Sequence, residues 1–406
     1  MRSEPERLRF EIAARAGAAR AGVIHTGHGP VSTPAFIPLA TRATVRSLEA
    51  GEVERLGYEL VLGNTFHLLL SPGPERIAAL GGLHEFMGWR RAIVTDSGGF
   101  QIFSLAHGSV ADEIKGRRRP EGEGKVLEVS EDGVRFRSYV DGAERMLGPE
   151  GSMQVQAQLG SDIALALDEC TPYHADRDYT ARSTERTHRW LDRCLEWHDE
   201  HGPARQSVFG IVQGGVYEDL RRESAERVAA APVDGIAIGG TLGRDKREMY
   251  GVLDMTVGHL PADAPKHLLG IGEPDDLIEG IGRGIDIFDC AVPTRLARHG
   301  MALAPVPDRR FRFDIRRAAF ADDTAPLVDG CPCPACGSHT RAYLHYLSRS
   351  EELTGVRLLA LHNLTFVERL VAGAREAIAA GAYERYAEAV LGGRAPWEAP
   401  PLSPAA

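Results

Sequence analysis

The chain has 406 residues, of which 43% are hydrophobic and 26% are charged, with a formal net charge of −10. This composition excludes disordered, collagen-like and coiled-coil proteins, and the net charge argues against a protein that coats nucleic acid, although a local basic face remains open. No apolar run approaches the roughly 18 residues that span a bilayer, and residues 1–7 lack a signal-peptide pattern, so we expect a cytoplasmic protein with no membrane association.

Eight short apolar segments recur along the chain, each bounded by glycine or polar residues. They lie at 35–39, 60–62, 92–94, 163–167, 208–212, 235–238, 267–269 and 285–288. Most are followed by a segment with helical periodicity, such as 217–231 or 275–283. Strands that alternate with helices and are buried on both faces form a parallel sheet, so eight of them predict an α/β protein with a closed (βα)8 TIM-type barrel. An open doubly wound sheet is the alternative, but no glycine-rich dinucleotide-binding motif follows the first strand.

Three segments fall outside this repeat. Residues 8–28 alternate around two glycines and predict a hairpin that leads into the first strand. In the insertion at about 106–150, a second hairpin is predicted from strand-like segments at 125–129 and 134–140. The third segment carries a cysteine cluster. The predicted domains are a barrel at 1–305 that includes the hairpin and the insertion, a zinc-binding subdomain at 306–362, a C-terminal helix that closes the barrel at 363–395, and a loose tail at 396–406.

The cysteine cluster is a CPCPAC segment that contains Cys331, Cys333 and Cys336. Six cysteines in the whole chain are too few for a disulfide scaffold, and thiols at this spacing indicate a metal site. The downstream candidates for a fourth ligand are His339, His345 and His362. His339 is so close to Cys336 that binding would strain the loop, whereas His362 starts the last long helix and could fasten it to the loop. We therefore predict that His362 completes a closed Cys3His site for one structural zinc per chain.

Polar residues and a glycine pair stand where the predicted strands end. They are Asn64, Asp96, Asp168, Gln213, Gly239, Gly240, Glu273 and Asp289. Residues just beyond the carboxyl ends of barrel strands converge on one site, so we expect these residues to meet. Any single carboxylate among them could instead be a helix N-cap. Acceptors and an amide near the aromatic ring of Phe100 suit a planar ligand with a guanine-like donor edge.

Five motifs follow one another along the chain. They are TDSGGFQ at 95–101, DECTPY at 168–173, GIVQGG at 210–215, FDCAVPTR at 288–295 and CPCPAC at 331–336, the last with His362 downstream. In this order they resemble the motifs of the bacterial tRNA-guanine transglycosylases. The resemblance implies a (βα)8 barrel with a zinc subdomain, usually a homodimer. It also implies a glycosyltransferase of queuosine biosynthesis that exchanges guanine at the wobble position of the tRNA anticodon loop for a 7-deazaguanine.

The resemblance also implies roles for individual residues. Asp289 would be the nucleophile that attacks the ribose C1′, and Asp96 the general acid and base. The base would be held by Asp168, Gln213, the backbone at Gly239 and a contribution from Cys170, and sandwiched between Phe100 and Leu269. Asn64 would lie near the ribose, and Arg295 and Arg298 would bind neighbouring nucleotides. The chemistry agrees, since cleavage of an N-glycosidic bond needs a carboxylate beneath C1′ and a proton donor at the base, and a covalent intermediate permits a ping-pong exchange.

One loop departs from the family pattern. Bacterial members read GGLAVGE after the sixth strand, and the glutamate senses the aminomethyl group of the incoming base. Here the segment is GGTLGRD at 239–245, in which the stretch from the glycine pair to the next glycine is one residue shorter. We expect Glu273, or alternatively Asp245, to replace that glutamate, so that the incoming base is 7-aminomethyl-7-deazaguanine. If neither does, the shorter loop would admit queuine instead.

Other functional classes fit the sequence less well. A non-catalytic partner subunit would lack active-site residues, but Asp96 and Asp289 are both present. A zinc-dependent deaminase needs an open zinc position and a glutamate beside a ligand, and neither is found. Relatives that act on DNA remain an alternative.

Overall fold

Eight parallel strands close into a barrel, which confirms the predicted fold class. The computed structural model describes residues 8–107, 126–173, 175–240 and 243–398. In chain order its strands are β1 (Arg9–Ala16), β2 (Ala19–Thr26), β3 (Gly29–Thr33), β4 (Ala35–Ala40), β5 (Leu60–Gly63), β6 (Ala92–Thr95), β7 (Val126–Ser130), β8 (Gly133–Arg137), β9 (Glu144–Leu147), β10 (Ile163–Leu165), β11 (Ser207–Val212), β12 (Gly235–Ile238), β13 (Lys266–Leu268), β14 (Ile287–Cys290), β15 (Met301–Leu303) and β16 (Arg312–Asp314). The barrel consists of β4, β5, β6 and β10 to β14 in chain order, and β14 pairs with β4 to close it.

Helices follow the barrel strands and cover the outside of the barrel. They are α1 (Ala50–Arg55), α2 (Thr65–Leu70), α3 (Pro74–Ala79), α4 (Gly82–Met87), α5 (Gly99–His107), α6 (Pro149–Leu159), α7 (Arg177–His201), α8 (Glu218–Ala229), α9 (Lys246–Val257), α10 (Pro274–Gly282), α11 (Val292–Arg298), α12 (Pro334–Ser338), α13 (Arg341–Arg349), α14 (Leu353–Ala379) and α15 (Tyr383–Leu391). Among the described residues, no helix is both long and apolar enough to cross a membrane.

The barrel strands are short and apolar because both of their faces are buried. Successive side chains of a strand point to opposite faces, so one set fills the barrel lumen and the other packs against the helices. Ile37, Leu62, Val94 and Ile211 belong to a separate apolar cluster that fills the lumen. Because of this alternation, every second side chain near the carboxyl ends of the strands points into the opening at that end of the barrel.

The N-terminal segment forms a three-stranded antiparallel sheet, β1-β2-β3, at the amino ends of the barrel strands. Arg20 of β2 forms a buried ion pair with Asp286, which precedes β14. Asp162, which precedes β10, accepts hydrogen bonds from the backbone N–H groups of His28 (3.1 Å) and Ile93 (2.8 Å), and its carboxylate also contacts the rings of His28 and His84. Both carboxylates accept hydrogen bonds from protein donors, which stabilises this end of the barrel.

The predicted hairpins are each part of a larger sheet. The first hairpin gains β3 as a third strand, and the insertion forms the sheet β7-β8-β9, in which β9 was not predicted. Lys125 and the rest of 108–125 lie outside the described residues.

The C-terminal region returns to the barrel through one long helix. α14 buries the four residues whose helical spacing predicted it, which are Phe366, Leu370, Ala374 and Ile378. It packs against β4, α11 and the short helix α12 of the cysteine loop. Of the tail predicted to be loose, Trp397 packs edge-on against Phe366 with the ring centroids 5.9 Å apart. The predicted division into domains stays a prediction.

Candidate active site and metal cluster

Asp96 directly follows β6 at the carboxyl end of the barrel. Its carboxylate accepts hydrogen bonds from the Thr65 N–H (2.8 Å), the Asn64 amide (2.5 Å) and the Gln101 amide (3.0 Å). Burial raises the pKa of Asp96 to about 7, and the negative charge of Asp289 also raises it, while the hydrogen bonds oppose the shift. A carboxyl group with such a pKa can both donate and accept a proton near neutral pH.

Asp289 is the second carboxylate of the site, and its position in β14 leaves it 7% exposed. Its Oδ1 accepts a hydrogen bond from the Gly270 N–H (3.1 Å) and lies 2.9 Å from Nε2 of His267. No residue in the described part of the chain donates a hydrogen bond to Oδ2. One oxygen is therefore held by the protein, and the other is free to react.

Asp168 and Gln213 lie side by side after β10 and β11. The Gln213 amide donates to one oxygen of Asp168 (2.6 Å), and the Ser97 hydroxyl donates to the other (3.0 Å). Burial raises the pKa of Asp168 to about 6 against these two hydrogen bonds. Within the described residues, the carbonyl oxygens of Gln213 and Gln101 are buried without a hydrogen-bond partner. Buried acceptors of this kind are costly unless a ligand supplies donors.

Gly239 and Gly240 lie at the end of β12, close to the side chain of Gln213. A Cβ atom at Gly239 would lie 3.1 Å from the Gln213 amide nitrogen, and one at Gly240 would lie 2.3 Å from the Gln213 carbonyl oxygen. Gly240 also has a φ of +81°, which favours glycine. The fully buried Arg221 donates to the carbonyls of Gly215 (2.7 Å) and Gly239 (2.8 Å), and burial lowers its pKa to about 10. Arg221 thus ties the segment that follows β11 to the end of β12.

The remaining residues predicted for the base and the ribose lie on segments that follow the barrel strands. Phe100 is 42% exposed at the start of α5, and Leu269 is half-buried directly after β13. Cys170 is half-buried near Arg221, and the charge of its sulfur raises the pKa of Arg221 against the effect of burial. Asn64 caps α2 by accepting the His67 N–H (2.9 Å) while it donates to Asp96. The N-cap alternative was raised only for the carboxylates, but Asn64 fills this structural role, which does not prevent it from contacting Asp96.

Three arginines lie together beside this opening. Arg295 and Arg298 are on α11, directly after Asp289, and Arg46 comes from the loop after β4. Burial lowers the pKa of Arg298, and the positive charges of Arg46 and Arg295 lower it further. None of the three has a carboxylate within ion-pair distance in the described ranges. Such a cluster favours an anionic ligand.

Five residues of the candidate site were not predicted from the sequence. They are Arg46, Ser97, Gln101, Arg221 and His267. Ser97 and Gln101 stand within the TDSGGFQ motif, so the motif itself was their signal. His267 lies inside a strand and Arg221 inside a helix. Neither follows the strand-end pattern from which other residues of the candidate site were predicted.

The two candidates for the missing loop glutamate are both engaged in the structure. Asp245 caps α9 by accepting the Glu248 N–H (2.9 Å). Glu273 precedes α10 and forms an ion pair with Arg312 (3.0 Å) through one of its oxygens. Residues 241 and 242 of the loop lie outside the described residues.

The three cysteines and His362 converge into one cluster whose ligand atoms all lie within 4.8 Å of one another. The His362 Nδ1 atom is 3.5 Å from Sγ of Cys331 and Cys333 and 3.4 Å from Sγ of Cys336. Tetrahedral coordination at usual zinc distances would place sulfur and nitrogen about 3.6 Å apart. His362 Nε2 lies 2.8 Å from the Leu303 carbonyl, which orients Nδ1 towards the thiols. The cluster can therefore hold a metal ion.

Comparison with known proteins agrees with this geometry. A family model described as "TGT: Queuine tRNA-ribosyltransferase" matches residues 15–396. The chain is 50% identical to a protein named queuine tRNA-ribosyltransferase from Roseiflexus sp. (strain RS-1), over 93% of this chain and 97% of the relative. It is 44% identical to the protein of the same name from Symbiobacterium thermophilum, with 95% and 91% covered. For the relative from Pelotomaculum thermopropionicum the identity is 46%, with 89% and 92% covered.

Proposed function

Because the chain belongs to the queuine tRNA-ribosyltransferase family and is thus a tRNA-guanine transglycosylase, we propose that it exchanges wobble guanine for 7-aminomethyl-7-deazaguanine through a covalent Asp289–ribose intermediate. One observation carries this proposal. Two neighbouring carboxylates have opposite environments: Asp96 has its pKa raised to about 7, while Asp289 keeps one oxygen free of hydrogen bonds from the described residues. The first suits proton transfer and the second suits nucleophilic attack.

The exchange proceeds in two half-reactions. Oδ2 of Asp289 bonds to the ribose C1′ as the bond from C1′ to guanine breaks, and Asp96 gives its proton to the leaving base. The incoming base then loses a proton to Asp96 and bonds to C1′, which releases the Asp289 carboxylate. Two displacements at one carbon restore the original configuration.

We propose that the base lies between Phe100 and Leu269, with its donor edge towards Asp168 and the carbonyl oxygen of Gln213. The unsatisfied acceptor of Gln213 supports this placement because a guanine-like base brings N–H donors to it. The backbone at Gly239 and the thiol of Cys170 complete the pocket. Asn64, which is bonded to Asp96, would lie near the ribose.

The raised pKa of Asp96 predicts a pH dependence for the first half-reaction. Adduct formation needs the protonated acid, so its rate should fall as the pH rises through about 7. Asp96→Asn should slow the step by roughly 10²–10⁴-fold and remove this dependence. Single-turnover adduct formation between pH 5.5 and 8.5 measures both effects. A wild-type pH profile in the asparagine variant would contradict the assignment.

We propose that Glu273 binds the aminomethyl group of the incoming base. Its second oxygen has no partner among the described residues, so it can pair with an ammonium group while Arg312 keeps the first. Asp245 suits this role less well because it already caps α9.

Incorporation of labelled guanine into tRNA tests the overall function, and competition by each free base tests the base. We expect aminomethyl-deazaguanine to compete better than queuine. Glu273→Gln should weaken the aminomethyl base by roughly 1–3 kcal/mol and spare guanine, whereas Asp245→Asn serves as the control. Equal losses for both bases would show that Glu273 is structural, and preference for queuine would favour the alternative substrate.

We propose that Arg295 and Arg298, together with Arg46, bind phosphates of the anticodon loop. Alanine at both Arg295 and Arg298 should weaken tRNA binding and reduce the slope of log affinity against log salt by roughly two, since each arginine displaces about one counterion. Arg222→Ala on the exposed face of α8 is the matched control. An unchanged salt slope in the double variant, measured by filter binding, would refute the contact.

We further propose that the metal cluster holds one structural zinc, that the chain is a homodimer and that it is cytoplasmic. None of its six cysteines forms a disulfide, which suits a reducing compartment. Tyr343 and Tyr346 on α13 and Leu353 at the start of α14 are exposed, with Leu353 82% accessible. Such a patch is typical of a protein interface, and light scattering of the intact chain measures the oligomeric state.

A further inference from the structure

We infer that His267 is a positioning residue for Asp289. By holding Oδ1, His267 leaves Oδ2 as the attacking oxygen, and it favours release of the Asp289 carboxylate in the second half-reaction. The inference rests on the proposed function. It concerns a side chain that no motif of the sequence includes.

The placement of His267 is set by the barrel. In β13 it pairs with Ala237 of β12 and Ile287 of β14, both of which point into the lumen. Asp289 follows Ile287 by two residues and therefore lies on the same face, one layer nearer the opening. His267 is 1% exposed, so its ring is fixed by the strands on both sides.

The contact between the two side chains is specific. Nε2 of His267 lies 2.9 Å from Oδ1 of Asp289, and the Gly270 N–H donates to the same oxygen at 3.1 Å. A buried imidazole is costly in an apolar layer unless its polar atoms are paired, and this carboxylate supplies the partner. With both donors on Oδ1, only Oδ2 can face C1′.

These donors have different effects on the two half-reactions. When Oδ2 bonds to C1′ and the bond to guanine breaks, the Asp289 carboxylate loses its charge and Oδ1 becomes an ester carbonyl. When the incoming base bonds to C1′, the bond from Oδ2 to C1′ breaks and the negative charge returns, shared with Oδ1. Hydrogen bonds to a charged oxygen are about twice as strong as those to a neutral one. His267 therefore stabilises the released carboxylate more than the adduct.

A comparison of two amide substitutions tests this role. In His267→Gln the side-chain nitrogen can reach the position of Nε2, whereas in His267→Asn the side chain is one carbon too short. The two replacement side chains have similar polarity. A difference between the variants therefore reports the effect of the hydrogen bond and not that of a polar group in the apolar layer. The rates of adduct formation from tRNA, and of adduct resolution by labelled guanine, are measured by rapid quench on denaturing gels.

We expect His267→Asn to slow adduct resolution by about 10- to 100-fold, the effect of losing one hydrogen bond to a charged group, and to raise the adduct fraction at steady state. Adduct formation should change far less, and His267→Gln should resolve the adduct within about threefold of wild type. Equal impairment of the two variants in both steps would overturn the inference, as would wild-type resolution in His267→Asn. Melting curves show whether each variant is folded, and His267→Phe gives a second variant without the donor.

Measurements on the wild-type protein distinguish failure of the proposed function from failure of the inference about His267. If it forms no adduct and incorporates no labelled guanine, the proposed function fails. If it does both while His267→Asn resolves the adduct normally, only the role of His267 fails.

Discussion

Replacement of Asp289 by asparagine is expected to abolish the covalent protein–RNA adduct and to lower base exchange by at least about 10³-fold. The amide has the shape of the carboxylate and keeps an oxygen for the Gly270 N–H, but its nitrogen cannot attack C1′. tRNA binding should survive within about twofold, because the arginines proposed to bind RNA are unchanged. Denaturing gels measure the adduct, and labelled guanine measures the exchange.

Asp162→Asn is the matched control for this prediction. Asp162 is also buried and hydrogen-bonded, but it lies at the amino ends of the barrel strands. The control should lower the melting temperature and leave the adduct intact. An adduct of normal yield in Asp289→Asn would mean that another residue is the nucleophile.

Loss of the metal is expected to have the second largest effect. The cluster joins the cysteine loop to α14 through His362, and α14 in turn packs against β4 of the barrel. Structural zinc contributes roughly 10 kcal/mol or more to the folding of small zinc domains, and we expect several kcal/mol of this to appear as lost stability here. Cys333→Ser should therefore lose the metal and melt at a markedly lower temperature.

Metal analysis should give about one zinc per wild-type chain, and thermal unfolding gives the change in stability. Cys194→Ala is the control, because Cys194 is buried in α7, away from the cluster. It should retain the zinc. Complete loss of zinc from Cys333→Ser with no change in melting would contradict a structural role.

The barrel could be predicted because its strands are buried on both faces and so are apolar throughout. The limits of the strands were less predictable. β14 extends to Cys290 and includes Asp289, and β13 begins at Lys266, because backbone pairing does not require apolar side chains. β3 and β9 were missed for the same reason: their sequences, GPVST and ERML, carry no strand pattern, and only their partners make them strands.

The site was predictable as far as its residues follow strand ends. Asp96, Asp168 and Gln213 were predicted in this way, and hydrogen bonds join Asp168 to Gln213 and to Ser97, the neighbour of Asp96 in the sequence. Arg221 could not be found, because its surroundings in α8 are charged like those of an exposed helix face. Only tertiary packing shows that it is the one charged residue of this helix that is buried. Arg46 was missed because it lies in a loop beyond the end of β4, where only the folded chain brings it close to Arg295 and Arg298.

The buried guanidinium of Arg221 has a consequence for selectivity. Since one rigid, planar group holds the carbonyls of Gly215 and Gly239, the segments that follow β11 and β12 cannot adapt separately to an ill-fitting base in the proposed pocket. A preorganised pocket loses little conformational entropy when a ligand binds. It selects between bases by how well they fit its fixed contacts and not by closing around the correct one. A base that lacks one donor would leave the Gln213 oxygen desolvated and unpaired, a penalty that a flexible pocket could relieve but this one cannot.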